Sequence, residues 1–256
     1  MKDKSVTIVM TYWNRKRQLE NTLKSIKQYG HDVKIIIVDD ASTDGNDISC
    51  FEEENVKIIT MKNKTWINPC IPFNTGLALA DTDIVILQNA ECIHNGDIVG
   101  HVINNIEKGT YLNYSAFSID SALTERVYAG EEINSIINPY LTRYINAWIG
   151  WYNHPIYRPE MLHFCSAITR EDLYELGGFD ERYYNGLGYD DNEFILRIQN
   201  KGMTVKIIEN PLVVHQFHKP FHPGDVQTLM KINLLKFEEA KKSREFDVKK
   251  YNTIFK

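Results

Sequence analysis

Four apolar runs constrain this chain more than any other feature: "SVTIVM" at 5–10, "VKIIIVDDAS" at 33–42, "VKIITM" at 56–61 and "TDIVILQN" at 82–89. Their apolar residues are continuous and often β-branched, the pattern of strands buried on both faces. Between the first two, Leu19, Leu23 and Ile26 recur at helical spacing and Gly30 is placed as a stop. "PFNTGLALA" begins a second helix and "GDIVGHVINNIEKG" is a third. Strands alternating with helices predict an α/β fold around a mostly parallel sheet covered on both faces. Ligands of such sheets bind outside the carboxyl ends of the strands. Polar clusters stand at those ends: "TYWN" after the first strand, "DDAS" after the second, "QNAE" after the fourth.

The second half reads differently. From about 111 to 165 the pattern loosens and aromatics crowd in, which predicts irregular structure rich in ring faces. A helix over 169–178 follows, with Thr169 as N-cap and Asp172 at a variant capping-box spacing. Next come a strand at 204–210, "PLVVHQFHKPFH", and a Lys-rich helix over about 225–243. The expected organisation is one domain over 1–224, whose halves 1–110 and 111–224 differ in pattern, then a helical extension over 225–256.

With 256 residues the chain can bury a sizeable core, and a formal charge of -5 argues against a phosphate-backbone binder, so nucleic acid is not an expected partner. The first residues run from a charged start into a strand-length apolar run too short for a signal-peptide core, and no stretch approaches the roughly 20 apolar residues that span a bilayer. A cytoplasmic location is the expectation. Cys50, Cys70, Cys92 and Cys165 form no CxxC pair and are expected as reduced thiols in or near the core. The basic tail over 241–256 has interleaved aromatics. It reads as a solvated helix end, with peripheral contact to an anionic membrane surface as the alternative.

The motifs "MTYWNR", "VDDASTDG", the oxygen-rich fourth strand end, "ELGGFDERY" and "GLGYDDNEF" occur in the order of nucleotide-sugar-dependent glycosyltransferases with the Rossmann-like GT-A fold. The first four resemble family 2 of these enzymes, over about residues 5–220. The resemblance implies a nucleotide-binding half over 1–110 and an acceptor-binding, catalytic half over 111–224, with Asp40 accepting a hydrogen bond from the ring N–H of a base such as uracil; of the two acids, Asp39 is the one read as capping the following turn. The resemblance places Thr11 and Trp13 against that base and Arg15 within reach of a phosphate. In "NAE", Asn89 takes the first position of the family's DxD and Glu91 the second, which ordinarily binds the divalent cation, Mn²⁺ or Mg²⁺, bridging the donor's phosphates. Hard cations prefer carboxylate to amide oxygen, so Asn89 weakens the site.

"HQFHK" resembles the "HxFRK" of polypeptide-type transferases. That likeness makes His215 a metal ligand and His218 or Lys219 a phosphate contact. A structural zinc on His215, His218 and His222 is disfavoured by Pro220 and by the lack of a nearby Cys pair. "GLGYDDNEF" resembles the "GWGGEDDD" of inverting galactosyltransferases. There Asp191 matches the general base, Asp190 a partner of sugar hydroxyls, and Gly186 and Gly188 let the backbone approach the sugar, with Glu193 opening a helix. The alternative is an acidic first turn complementing a helix N-terminus. Asp180 and Glu181 would floor the sugar pocket. Trp148, Trp151, Tyr152 and Tyr157 would stack on an acceptor sugar or pack as an aromatic flap.

The function expected is transfer of a hexose-type sugar from a UDP-sugar to a glycan, lipid-linked or protein-linked hydroxyl, inverting by single displacement. Three alternatives stand beside it: a retaining GT-A transferase, a nucleotidyltransferase, which wants a glycine-rich phosphate loop that "TYWNRKRQ" lacks, and an inactive nucleotide- or glycan-binding module.

Overall fold

The computed structural model describes residues 4–142, 148–219, 224–243 and 247–255. His222 and part of the basic tail lie outside the described residues. The fold begins with strand β1 (Val6–Tyr12), helix α1 (Lys16–Lys27), β2 (Lys34–Asp39), β3 (Val56–Thr60), α2 (Cys70–Leu77) and β4 (Ile84–Asn89). It continues with β5 (Cys92–Asn95), α3 (Ile98–Asn105), β6 (Thr110–Ser118), α4 (Ser121–Tyr128), α5 (Ile133–Ile137), β7 (Gly150–Asn153) and β8 (Cys165–Thr169). The last elements are α6 (Arg170–Leu176), α7 (Asp190–Asn200), β9 (Thr204–His215) and α8 (Val226–Ser243).

The described strands form one sheet in the order β3-β2-β1-β4-β8-β6-β9-β5, with β7 paired to the far end of β6. Strands β1 to β4, β6 and β9 run one way, and β5, β7 and β8 run against them, so the sheet is mixed but mostly parallel. Continuous apolar runs work here because each strand feeds both faces. Ile8, Met10 and Tyr12 of β1 join the core under α1 and α3, while Val9 joins the core under α2, α6 and α7. A third, smaller cluster lies under α4 and α5. At Gly76 of α2 an added Cβ would stand 2.5 Å from Val9 Cγ1, so only glycine lets the helix sit this close to the sheet.

Local signals held where they were strong. Leu19, Leu23 and Ile26 are buried on α1, and Gly30 takes φ +67° just beyond it. Thr169 Oγ1 accepts from the Asp172 amide, and Gly177 at φ +82° ends α6. The reading of 111–165 as irregular is overturned. β6 is fully buried mid-sheet, and α4, α5 and β7 follow it. Asn113, Ser115 and Ser118 broke the apolar run that would have marked the strand, although Asn113 is satisfied inside by Leu162 O and Ser166 Oγ. Two smaller corrections apply: α7 starts at Asp190 rather than Glu193, and Cys50 is exposed while the other three thiols are buried. No helix among the described residues is long and apolar enough to cross a membrane.

Candidate functional site

Strand order reverses between β1 and β4, where Thr11 pairs with Asn89. A crevice at that point of the carboxyl rim is where such sheets bind ligands. A cavity of about 340 Å³ occupies it. Larger depressions near Arg170 and near Lys34 lie away from this rim. Thr11, Trp13, Asp40 and Lys64 line the cavity, together with Asn89, Glu91, His215 and His218.

The β1–α1 turn is stitched to the loop after β2 through Asn14, whose Oδ1 accepts from the amides of Thr43 (2.7 Å) and Asp44 (3.1 Å). Asp39 Oδ1 accepts from Ser42 N at 3.0 Å, the turn role expected of it. Asp40 is buried. Lys64 Nζ lies 2.5 Å from its Oδ2, and Trp66 Nε1 donates to its Oδ1 at 2.6 Å. Burial pushes this carboxyl up, against the pull of Lys64 and Trp66. Neither partner was singled out in the sequence. The signal was present, since "KNKTWINP" follows the third strand and so opens onto the same rim.

Glu91 sits in the turn between β4 and β5, and His215 ends β9 directly opposite Cys92 of β5. Gln216 fixes this junction, its backbone N and Nε2 both donating to Glu91 O at 3.1 and 3.0 Å. Tyr152 and Phe164 stack on each other, and both rings lie nearly perpendicular to the His215 imidazole. Glu91 Oε1 lies 3.3 Å from His215 Nε2 and 3.6 Å from His218 Nε2, while Oε2 lies 2.8 Å from Arg15 Nη1. Burial pushes the Glu91 carboxyl up, but Arg15 and the two imidazoles outweigh it and hold the group well below the usual range. Glu91 Oε2 is buried with no hydrogen bond beyond its ion contact with Arg15, and His215 Nδ1 is buried without a hydrogen-bond partner.

One ligand atom from each of Glu91, His215 and His218 falls within 4.8 Å of the others, the only such cluster among the described residues. A buried carboxylate with spare acceptor capacity facing two imidazoles fits a divalent cation. The nitrogen donors suit a transition ion such as Mn²⁺ better than Mg²⁺, which prefers oxygen. His218, expected as a phosphate contact, therefore lies within the ligand cluster. Arg15 meets Glu91 and is mostly covered, rather than extending into solvent.

Asp190 and Asp191 open α7 and do not line this cavity, but the residues they meet are chain neighbours of ones that do. Asn68, between the lining residues Ile67 and Pro69, donates from Nδ2 to Asp190 Oδ1 at 2.7 Å. His163, beside the lining residue Phe164, places Nε2 3.8 Å from Asp191 Oδ1. Burial, then the neighbouring Asp191, push the Asp190 carboxyl up to about 7 against the Asn68 bond. Burial pushes Asp191 up to about 6, although its side chain keeps 30% exposure.

Several expected contacts prove structural. An added Cβ on Gly186 would meet Asn233 Oδ1 at 2.3 Å, so that glycine admits α8 rather than a sugar, whereas Gly188, at φ +65°, faces open space. Asp180 is held bidentate by Arg182, and Glu181 accepts from Asn74 and Thr253, leaving neither free to floor a pocket. Trp151 is buried and donates to Leu141 O, with Tyr157 stacked on it. Trp148 and Tyr152 instead border a small hollow beside His215 and His218.

The profile of glycosyl transferase family 2 matches residues 7–167, and that of the N-terminal domain of galactosyltransferase matches 159–222. No curated protein matched the chain. Among solved structures the chain resembles the mannosyltransferase PcManGT from Pyrobaculum calidifontis in complex with GDP-Man and Mn2+, with a TM-score of 0.56 and 16% identity. That match covers 97% of this chain and 66% of the other, and at such identity it speaks for the GT-A fold. With the family 2 profile covering more than half of the chain, from β1 through β7 and including the Asn89–Glu91 turn, the chain belongs to glycosyl transferase family 2.

Proposed function

We propose that the chain transfers a hexose-type sugar from a UDP-sugar to a hydroxyl of a glycan, lipid-linked or protein-linked acceptor, with inversion. The observation that carries this reading is that Asp40 with Lys64, and the Glu91–His215–His218 cluster, line one cavity at the strand-order reversal, with a pair of raised-pKa carboxyls adjoining it.

On this reading a remaining lone pair of Asp40, beside its bonds from Lys64 and Trp66, accepts from a ring N–H while the Lys64 ammonium donates to the carbonyl next to it, the pattern offered by uracil. Guanine carries a similar N–H and C=O edge, so the base is a matter for measurement. Trp13 supplies a ring face for the base, and Thr11 a contact at the strand end. Glu91, His215 and His218 would hold the cation, whose bound charge offsets that developing on the leaving diphosphate. Asn89 adds a neutral oxygen at the same rim. Arg15, which lies against Glu91, would turn to a phosphate oxygen of the bound donor.

Asp191 accepts the acceptor hydroxyl's proton as that oxygen forms its bond to the anomeric carbon. The bond from that carbon to the diphosphate oxygen breaks, and its electron pair leaves with the nucleotide. A carboxyl near 6 is mostly ionised at neutral pH and basic enough to take the proton. Asp190, pushed to about 7, is available to hydrogen-bond sugar hydroxyls.

The test is Asp191→Asn. Turnover is expected to fall by about 10²–10⁴, with UDP binding in Mn²⁺ retained by calorimetry. Turnover equal to wild type would remove Asp191 from the mechanism. Heat of binding for UDP but not GDP supports the base assignment, and absence of nucleotide binding overturns the donor reading. NMR of the product's anomeric centre decides inversion.

A further inference from the structure

His163 is buried, and its Nε2 has no hydrogen-bond partner. A buried polar atom left unpaired is costly, so its direction matters. It points toward Asp191, with Oδ1 at 3.8 Å, too long for a hydrogen bond in the free protein. The other ring nitrogen is engaged: Tyr111 OH lies 2.5 Å from His163 Nδ1. Burial holds the Tyr111 phenol protonated, far above its ordinary range, against the pull of a hydrogen bond with Ser166. Ser166 Oγ in turn accepts from Asn113 Nδ2 at 2.9 Å, and Asn113 Oδ1 accepts from Asn153 Nδ2 at 3.1 Å. Burial also keeps the imidazole neutral, its pKa driven down to about 4.

These donors all run one way. A protonated phenol donating to Nδ1 fixes the tautomer in which the proton rides on Nε2 and faces the carboxylate. Hydrogen bonds at active sites are often long before substrate binds and tighten in the complex. We propose that His163 is a positioning residue for the base: Tyr111 locks its tautomer, and its Nε2–H clamps one oxygen of Asp191 so that the other is presented to the acceptor hydroxyl. The proposal rests on the reading of Asp191 as general base.

A donor to the ionised carboxylate favours the charged form, so the clamp lowers the pH at which Asp191 becomes competent. The other ionisable groups around it are Asp190 on the same helix, the Tyr111 phenol of β6, and Arg197, which acts on His163 from the next turns of α7. Cys70 of α2 is buried and stays a thiol beside Asp190. The backbone N–H of His163 also donates to the Asp191 carboxylate and remains when the imidazole is removed, so the ring's own share is what the variants below read.

The experiment compares wild type, Tyr111→Phe, His163→Leu and Asp191→Asn for pH-dependent UDP release from UDP-glucose or UDP-galactose with Mn²⁺, alongside UDP calorimetry and thermal melts. Tyr111→Phe keeps the ring that packs on Phe194 and removes only the hydroxyl. Its kcat is expected to drop about tenfold, with the acidic limb moved to higher pH and UDP affinity unchanged, and His163→Leu is expected to show the same shift. If His163→Leu fails to fold, Tyr111→Phe decides alone. A wild-type pH profile and kcat in Tyr111→Phe, with Asp191→Asn inactive, overturns the clamp while leaving the base in place. An active Asp191→Asn overturns the base reading itself.

Discussion

Burial favours the uncharged form of Asp190 in the folded chain, its carboxyl standing at about 7 against an ordinary value near 4. An acid raised in this way contributes stability below its unfolded value and loses it as pH rises through the folded one. At pH 8 the ionised carboxylate is therefore a cost. Asp190→Asn keeps an oxygen for Asn68, and is expected to be more stable than wild type at pH 8 by about 1–3 kcal/mol, with the gap closing toward pH 4. Melts across that range check it, and parallel curves would mean that no charge is being held against its preference. The acids themselves were legible in "GLGYDDNEF". Asn68 and His163 were not, because each lies in a loop and meets the start of α7 only through the tertiary fold.

At the scale of the element, α7 is held by Arg197. Its guanidinium pairs with Glu193 one turn earlier at 2.6 and 2.9 Å, and donates to Leu176 O and Gly178 O at the end of α6 at 2.7 and 2.8 Å. Both side chains are almost fully buried. Removing one partner leaves a buried charge uncompensated, so Arg197→Met is expected to cost about 3–5 kcal/mol in urea unfolding. The exposed Glu20–Lys24 pair has the same i,i+4 spacing on α1, yet Lys24→Met is expected to cost no more than about 0.5 kcal/mol. Equal costs for the two would remove burial as the deciding factor. Spacing alone could not separate these pairs. Strands β1 to β4 were legible because their runs are unbroken, whereas β6 carries Asn113 and Ser115 into the core and β5 is only four residues long.

For the whole molecule, the Glu91–His215–His218 cluster joins the β4–β5 turn to the end of β9, so a cation there links segments more than 120 residues apart. A ligand that binds only the folded state stabilises it by about 2.7 kcal/mol at a hundredfold excess over Kd. For a chain of this size that corresponds to a rise in Tm of about 5–10 °C. Mn²⁺ is expected to produce such a rise, Mg²⁺ a smaller one, and His218→Ala to lose most of it. A full Mn²⁺ response in His218→Ala would return His218 to the phosphate-contact role first read for it.

By itself the sequence determined the layered sheet, the helices flanking its first four strands, and the polar ends that share a rim, since each depends on periodicity and turn chemistry within a dozen residues. It also marked Asp40, Glu91 and His215, which stand at strand ends wherever those strands are placed. Only the tertiary structure decided that Lys64 and Trp66 occupy both oxygens of Asp40, that His218 closes on Glu91, and that Asp180 and Glu181 brace the fold rather than face a sugar. Those outcomes rest on which side chains meet across long separations, such as Asn68 with Asp190, and no local pattern encodes such a meeting.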